Sequence, residues 1–290
     1  MTEYRIFSNA KINIGLNVFQ KESDGFHNID TIMAPIDLYD EMEITFYSGI
    51  GDLKIECSDS SIPTDERNIL YKTYKVFFEE SKREKEKISI FLTKNIPSEA
   101  GLGGGSSNAA FFLKLLNEHY GNIYSESKLE ELAMKIGSDV PFFIKNKTAR
   151  VRGKGNKIEV VENNLKDSVI LIKPLYLGVS TKEAYSNFDN LKEVKYANFD
   201  KIIENLKDSN RIALENNIEN SLEQGILETN IEVKMLKMTL NSVISGKKFF
   251  MSGSGSIYYT FVTELEKSQI ETRLKTFVDN VKIIICKTIN

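Results

Sequence analysis

Lys94-Asn95-Ile96-Pro97-Ser98-Glu99-Ala100-Gly101-Leu102-Gly103-Gly104-Gly105-Ser106-Ser107-Asn108-Ala109-Ala110 leads from the end of a strand-like run, through four glycines in five residues, into a helical pattern. Glycine tolerates positive φ and close approach to its backbone, so successive N–H groups can converge on phosphate oxygens. The helix that follows adds its positive dipole end and unpaired first amides. Ser106 and Ser107 supply hydroxyl donors or an N-cap. The segment reads as an anion site, with a nucleotide triphosphate as its expected occupant. A plain strand-to-helix turn is the competing reading, but four glycines forfeit conformational entropy that such a turn rarely needs to spend. Other phosphate loops fit less well. A Walker A motif needs Gly-Lys-Ser/Thr, and the dinucleotide fingerprint needs a third glycine where Ser106 stands.

Around this loop lies a chain of 290 residues, enough for one large or two moderate domains that need no disulfide or metal to hold a core. Apolar residues make up 41% and charged residues 27%, an ordinary globular balance, and no apolar run approaches the ~20 residues of a membrane span. Met1-Thr2-Glu3-Tyr4-Arg5 passes directly into a strand-like pattern without a signal or transit segment, so a cytoplasmic location is expected. Cys57 and Cys286 lack partners at zinc-ligand spacing and read as small core residues in a reducing compartment. The net charge is -3 with the signs interspersed, which argues against a nucleic-acid partner.

The order of elements predicts an α+β protein. Strand-like runs occur at Ala10–Phe19, Asp40–Ser48, Leu53–Cys57 and Lys87–Thr93, with helices at Asn68–Glu80 and Ser107–His119. From Ser168–Lys173 onward a strand gives way to helices at about Thr181–Asn187, Phe199–Asn205, Asn220–Glu228 and Glu232–Val243. Strand, strand, helix and strand then follow at Lys247–Met251, Ile257–Val262, Leu265–Phe277 and Val281–Lys287, an α/β sandwich pattern. The boundary falls near Asn146–Asn164, dividing the chain into residues 1–160 and 161–290.

Three further segments carry candidate chemistry. Lys11, Asn13 and Asn17 alternate along an otherwise apolar strand and share one face, which is either a site or the wet side of an edge strand. Asp139, in Gly137-Ser138-Asp139-Val140-Pro141-Phe142-Phe143, lies in a short loop between a helix and an apolar run; the plainer reading is an N-cap. Phe26-His27 follows the turn Ser23-Asp24-Gly25 and presents a ring pair suited to stacking on a flat ligand, or to a small cluster beneath the loop. His119, at a helix C-terminus, reads as structural. Met251-Ser252-Gly253-Ser254-Gly255-Ser256 is a hairpin turn or a second close approach of backbone to ligand.

In order, type and spacing these segments resemble the motifs of the GHMP kinases, the family of galactokinase, homoserine kinase and mevalonate kinase. Ala10–Asn13, Asp24–His27, Gly101–Ala110, Gly137–Phe143 and Gly178–Tyr185 carry the resemblance, which covers essentially the whole chain. It implies a two-domain fold, ribosomal-protein-S5-like in the N-terminal part and ferredoxin-like in the C-terminal part. It also implies ATP and Mg2+ as cofactors and a cytidine-nucleotide substrate whose methylerythritol 2-hydroxyl is phosphorylated. By the family pattern Asp139 is the general base, and Lys11 orients the hydroxyl and stabilises negative charge. Asn68, Pro97, Gly101, Leu102, Gly103, Gly104, Gly105, Ser106 and Ser107 meet ATP, while Asn13, Phe26, His27 and Tyr185 meet the substrate. The metal ligands are left unassigned, and the oligomeric state stays open between monomer and homodimer. The chain departs from the pattern at Phe26, often a tyrosine, and at Ser256, often a proline, a change expected to loosen its turn. Homoserine or mevalonate kinase activity, or nucleotide binding without catalysis, are the rival readings.

Overall fold

A computed structural model describes residues 1–289. Two compact units emerge, each assembled from separate stretches: residues 1–10, 38–98 and 103–146 in the first, and 11–37, 99–102 and 147 onward in the second. Strands β1 (Thr2–Lys21) and β2 (His27–Ile50) are each long enough to contribute to both units.

In the first unit β3 (Leu53–Cys57) runs parallel to β4 (Glu86–Thr93), which pairs antiparallel with the Glu41–Ile50 part of β2. Alternation is visible in β4, where Ile88, Ile90 and Leu92 are buried and Lys87 and Phe91 are exposed. Helices α1 (Ile69–Ser81), α2 (Gly104–His119), α3 (Glu126–Ile136) and α4 (Val140–Lys145) complete the unit. Leu70, Tyr74, Phe77 and Phe78 of α1, and Phe112, Leu113 and Leu116 of α2, are buried at helical spacing. His119 is structural as expected: Phe46 stacks on it at 3.8 Å and Tyr4 Oη lies 3.0 Å from its Nδ1.

The second unit contains β5 (Ala149–Gly153), antiparallel to both β6 (Lys157–Val160) and the Ile29–Met33 part of β2. It also holds a four-stranded antiparallel sheet of β7 (Ser168–Pro174), β8 (Phe250–Met251), β9 (Tyr258–Val262) and β10 (Val281–Lys287), in the order β10-β7-β9-β8. Helices α5 (Thr181–Asp189), α6 (Phe199–Lys207), α7 (Arg211–Glu215), α8 (Ser221–Thr229) and α9 (Ile231–Val243) lie between β7 and β8, and α10 (Glu264–Phe277) lies between β9 and β10. That is the β-α-β-β-α-β plan of a ferredoxin-like sandwich with the helical crossover enlarged. Ile170 and Ile172 enter one apolar cluster with Leu222, Ile226, Val233, Leu240 and Leu274, while Val169 and Leu171, on the opposite face of β7, are also fully buried. Burial on both faces explains why β7 reads as a continuous apolar run.

Three details differ from the sequence expectation. Helix α2 begins at Gly104, three residues earlier than Ser107. The apolar run after Asp139 is itself a helix, α4, with Pro141 in its first turn, where a missing N–H costs nothing. The Lys247–Met251 strand pairs only at Phe250–Met251. Cys57 is half-buried and Cys286 buried, both as free thiols, and burial pushes the Cys286 thiol up. Among the described residues no helix is long and apolar enough to cross a membrane.

Candidate functional site

In the first unit the start of α2 is built to leave its amides open. Its N-cap, Gly103, adopts the left-handed conformation at φ 70° and provides no side-chain cap. The Ser107 amide bonds the Gly103 carbonyl at 2.8 Å, so the first helical N–H groups, from Gly104 through Ser106, lack intrahelical acceptors. Ser107 is fully buried and its hydroxyl has no hydrogen-bond partner among the described residues. A Cβ on Gly104 would come within 2.9 Å of Ile96 Cγ2, so packing requires that glycine. Gly105 is different: it is exposed, its φ is not positive, and a Cβ there would meet only Ile69 Cγ2 at 3.9 Å. Nothing in the protein demands glycine at 105, so the backbone there is open to close approach.

Asp40, which the sequence reading passed over, fixes the approach to this loop. Fully buried, it accepts from the amides of Asn95 and Ile96 at 2.8 Å each and from Asn108 Nδ2 at 3.1 Å, and it pairs with the Lys94 ammonium. It thereby ties the residues before Pro97 to the first turns of α2, and four donors compensate its burial. Asn68 is the N-cap of α1: its Oδ1 accepts from Leu70 N at 3.0 Å, and its Nδ2 donates to the Pro63 carbonyl at 2.7 Å. Asp139 is half-buried and occupies the N-cap position of α4, where its side chain makes no capping bond to that helix.

The second unit brings Lys11, Asn13 and Gly101 together. The Lys11 ammonium is buried and donates to Asn13 Oδ1 at 2.5 Å and to the Gly101 carbonyl at 3.0 Å, while its amide bonds the Leu102 carbonyl at 2.9 Å. Asn13 Nδ2 donates to Thr31 Oγ1 at 2.9 Å, and Thr31 passes the bond to the Gly15 carbonyl at 2.6 Å. Tyr259 Oη donates to the Asn13 carbonyl at 2.8 Å, and complete burial raises that phenol far above its ordinary range, keeping it a donor. Asn17, the third polar residue of the strand, bonds Ala197 instead, through both its amide nitrogen and its oxygen.

The glycine segment at 251–256 belongs to this cluster. Ser252 Oγ donates to the Gly101 carbonyl at 2.9 Å and accepts from the Asn13 amide at 3.2 Å. A Cβ on Gly101 would lie 1.9 Å from the Ser252 carbonyl oxygen, and Gly101 has φ +72°, so no other residue fits there. Asn220 holds the segment from the other side, donating to the carbonyls of Met251 and Gly253 at 2.9 Å each while capping α8. At the Ser256 turn, Ser256 Oγ donates to the Leu177 carbonyl at 2.9 Å.

The aromatic residues divide. His27 is nearly buried: its Nδ1 lies 2.8 Å from the Phe19 carbonyl, its Nε2 is 3.4 Å from Asp189 Oδ1, and its ring is 5.1 Å from that of Tyr185 and 5.8 Å from that of Phe188. Phe26 stands outside this cluster, 64% exposed, with the Lys154 ammonium 5.4 Å over its ring. Lys154 also pairs with Asp24, which anchors the turn by accepting from the Phe26 amide at 3.0 Å. Phe26 is therefore the exposed ring of this region, while His27 packs inward against Tyr185 and Phe188.

Comparison with known proteins follows the same lines. Residues 68–147 match the model of the GHMP kinases N terminal domain. Over 290 residues, 100% of this chain and 99% of the relative, the sequence is 84% identical to a 4-diphosphocytidyl-2-C-methyl-D-erythritol kinase of Fusobacterium nucleatum. A protein of the same name from Persephonella marina is 41% identical over 263 residues, 90% of this chain and 93% of that protein. Among solved structures, a 4-(cytidine 5'-diphospho)-2C-methyl-D-erythritol kinase superposes with a TM-score of 0.78 at 25% identity, covering 98% of this chain and 99% of the other. A homoserine kinase from Cytophaga hutchinsonii has the same TM-score at 18% identity, covering 99% and 95%, a likeness of fold.

Proposed function

Since this chain belongs to the GHMP kinase family, we propose that it transfers the γ-phosphoryl group of ATP to the 2-hydroxyl of 4-diphosphocytidyl-2-C-methyl-D-erythritol, a step of the methylerythritol phosphate route to isoprenoid precursors. The observation that carries the acceptor is the 84% identity, from end to end, with a protein of that name. The donor follows from the kinase family, and the open amides at the start of α2 and the unobstructed glycine at 105 support it.

Phosphoryl transfer asks the protein for positioning and charge stabilisation more than for covalent chemistry. The triphosphate is held by Pro97 and Gly101–Ser107, with Asn68 shaping the nucleoside side through the start of α1. Asp139 accepts the proton of the attacking hydroxyl. Lys11 supplies fixed positive charge: its ammonium is buried and already oriented by Asn13 and Gly101, so little reorganisation is needed when charge develops. Asn13 and His27 bond the substrate, and Phe26 and Tyr185 stack on cytosine.

Magnesium fits the residues present. Among the described residues no group of three or more His, Cys, Asp or Glu side chains forms a protein cage, and this ion ordinarily takes most ligands from phosphates and water. The buried, unpartnered Ser107 hydroxyl is the protein oxygen that would hold it. When bound it supplies neutralisation of the β- and γ-phosphate charge.

The test is ADP release on a panel of acceptors. The cytidine substrate should support turnover, and homoserine and mevalonate should not. Turnover on either of those with none on the cytidine compound would place the chain in another branch of the family.

A further inference from the structure

In the second unit a cavity of about 510 Å3 opens among α7, the turn after α9 and one face of α10. It shares no residue with the motifs above. Its charged groups differ in how they are satisfied. Arg211 and Lys247 are fully engaged: each donates to the Phe261 carbonyl, at 3.1 and 3.0 Å, and to Glu266, at 3.0 Å. Glu215 is only 8% exposed, lines the cavity, and has an Oε1 without a hydrogen-bond partner. An acceptor buried without a donor is rare in a folded protein and marks a group awaiting one. Burial raises the Glu215 carboxyl, against the pull of Arg211, Lys247 and Lys248.

At the mouth stand two exposed cations, Lys248, which donates to Asn216 Oδ1 at 2.8 Å, and Arg273 on α10. An inorganic anion lacking an O–H donor would meet these cations and leave Glu215 Oε1 unmet. An uncharged alcohol would do the reverse, and an apolar chain bearing a diphosphate has no donor to offer. A molecule carrying both a hydroxyl and a phosphate satisfies both ends, and the volume is that of a small-molecule site. We propose that this cavity is a second binding site, for a phosphorylated polyol whose hydroxyl donates to Glu215 and whose phosphate meets Lys248 and Arg273. Free sugar phosphates and the ribose phosphate of a nucleotide share that chemistry.

Isothermal titration calorimetry on the full chain tests it, with ribose 5-phosphate as probe, ribose and inorganic phosphate as controls, and AMP as competitor. One ribose 5-phosphate should bind per chain. Ribose or phosphate alone should bind at least tenfold more weakly, as should ribose 5-phosphate to Arg273→Ala and to Glu215→Gln. Competition by AMP assigns the site to nucleotides and its failure assigns it to sugar phosphates; the class stands in both cases. Circular dichroism checks that Glu215→Gln folds, and if it does not, the surface variant Arg273→Ala decides alone. The proposal is overturned by absence of binding, by undiminished binding to Arg273→Ala, or by inorganic phosphate binding as tightly as ribose 5-phosphate.

Discussion

Gly105→Ala separates two causes of a glycine-rich loop, because it sets helix stability against ligand binding. Gly105 is the second residue of α2, its φ is compatible with any L-residue, and the nearest atom to an added Cβ is 3.9 Å away. Alanine at a helical position gains about 0.5–1 kcal/mol over glycine. At roughly 2–4 °C per kcal/mol for a chain of this size class, Tm should rise by about 1–4 °C. If triphosphate oxygens sit against the Gly105 amide, the same methyl overpacks the bound state by about 1–3 kcal/mol. That corresponds to a rise of roughly 5- to 150-fold in the KM for ATP at 1.4 kcal/mol per decade. Thermal melts and steady-state kinetics on one preparation read both numbers. A raised Tm with unchanged KM would show that the ligand does not approach this glycine. A lowered Tm would show that the protein itself needs it, as at Gly101, where an added Cβ would strike the Ser252 carbonyl oxygen at 1.9 Å.

Other variants address the acceptor chemistry and the frame around it. Asp139→Asn should lower kcat by about 10²–10⁴ while ATP and substrate binding stay within a few-fold, and an unchanged kcat would remove Asp139 from the reaction. Phe26→Ala should weaken cytidine-substrate binding by about 1–3 kcal/mol, the worth of one stacked base, with no loss of Tm because the ring is 64% exposed; unaltered affinity would refute the stack. Ser252→Ala leaves the Asn13 amide and the Gly101 carbonyl without their shared hydroxyl. It should cost about 1–3 kcal/mol in denaturant melts and lower kcat with it; full activity would mean that the Lys11 cluster keeps its shape unaided. At Glu266, burial opposes ionisation, but the Thr263 amide, Lys247 and Arg211 outweigh it and hold the carboxyl at about 2. A depressed carboxylate stabilises above the ordinary unfolded value of about 4.3 and loses that contribution as pH falls toward 2. Wild type should therefore exceed Glu266→Gln in Tm at neutral pH, with the gap closing between about pH 4.5 and 2; a gap independent of pH would assign the effect to packing.

Local patterns made most of the fold legible, and long-range closure hid the rest. Apolar alternation placed β3 and β4 closely, and the fully buried run of β7 was visible because both its faces are covered. The full length of β1 was hidden because Thr2–Phe7 is largely exposed and carries little apolar signal. Lys11 and Asn13 drew notice as polar residues on an apolar strand, and the structure joins them through hydrogen bonds. Ser252 could not be ranked the same way, since its partners Gly101 and Asn13 lie 151 and 239 residues away and only the folded chain brings them together. Asp40 was missed for a related reason: an acid that opens the strand-like run Asp40–Ser48 reads as a surface residue until its donors, from Lys94 to Asn108, are in place. Phe26 and His27, adjacent in sequence and read as one ring pair, separate because the chain enters β2 at His27 and turns that side chain in toward Tyr185 and Phe188.

The most direct test of the central claim is where the phosphate goes. Purified protein incubated with Mg2+, ATP and 4-diphosphocytidyl-2-C-methyl-D-erythritol should release one ADP for each new phosphomonoester, and 31P–1H correlation should place that ester on the 2-hydroxyl of the methylerythritol. ADP release without a new ester, an ester at another hydroxyl, or an unchanged cytidine compound would contradict it.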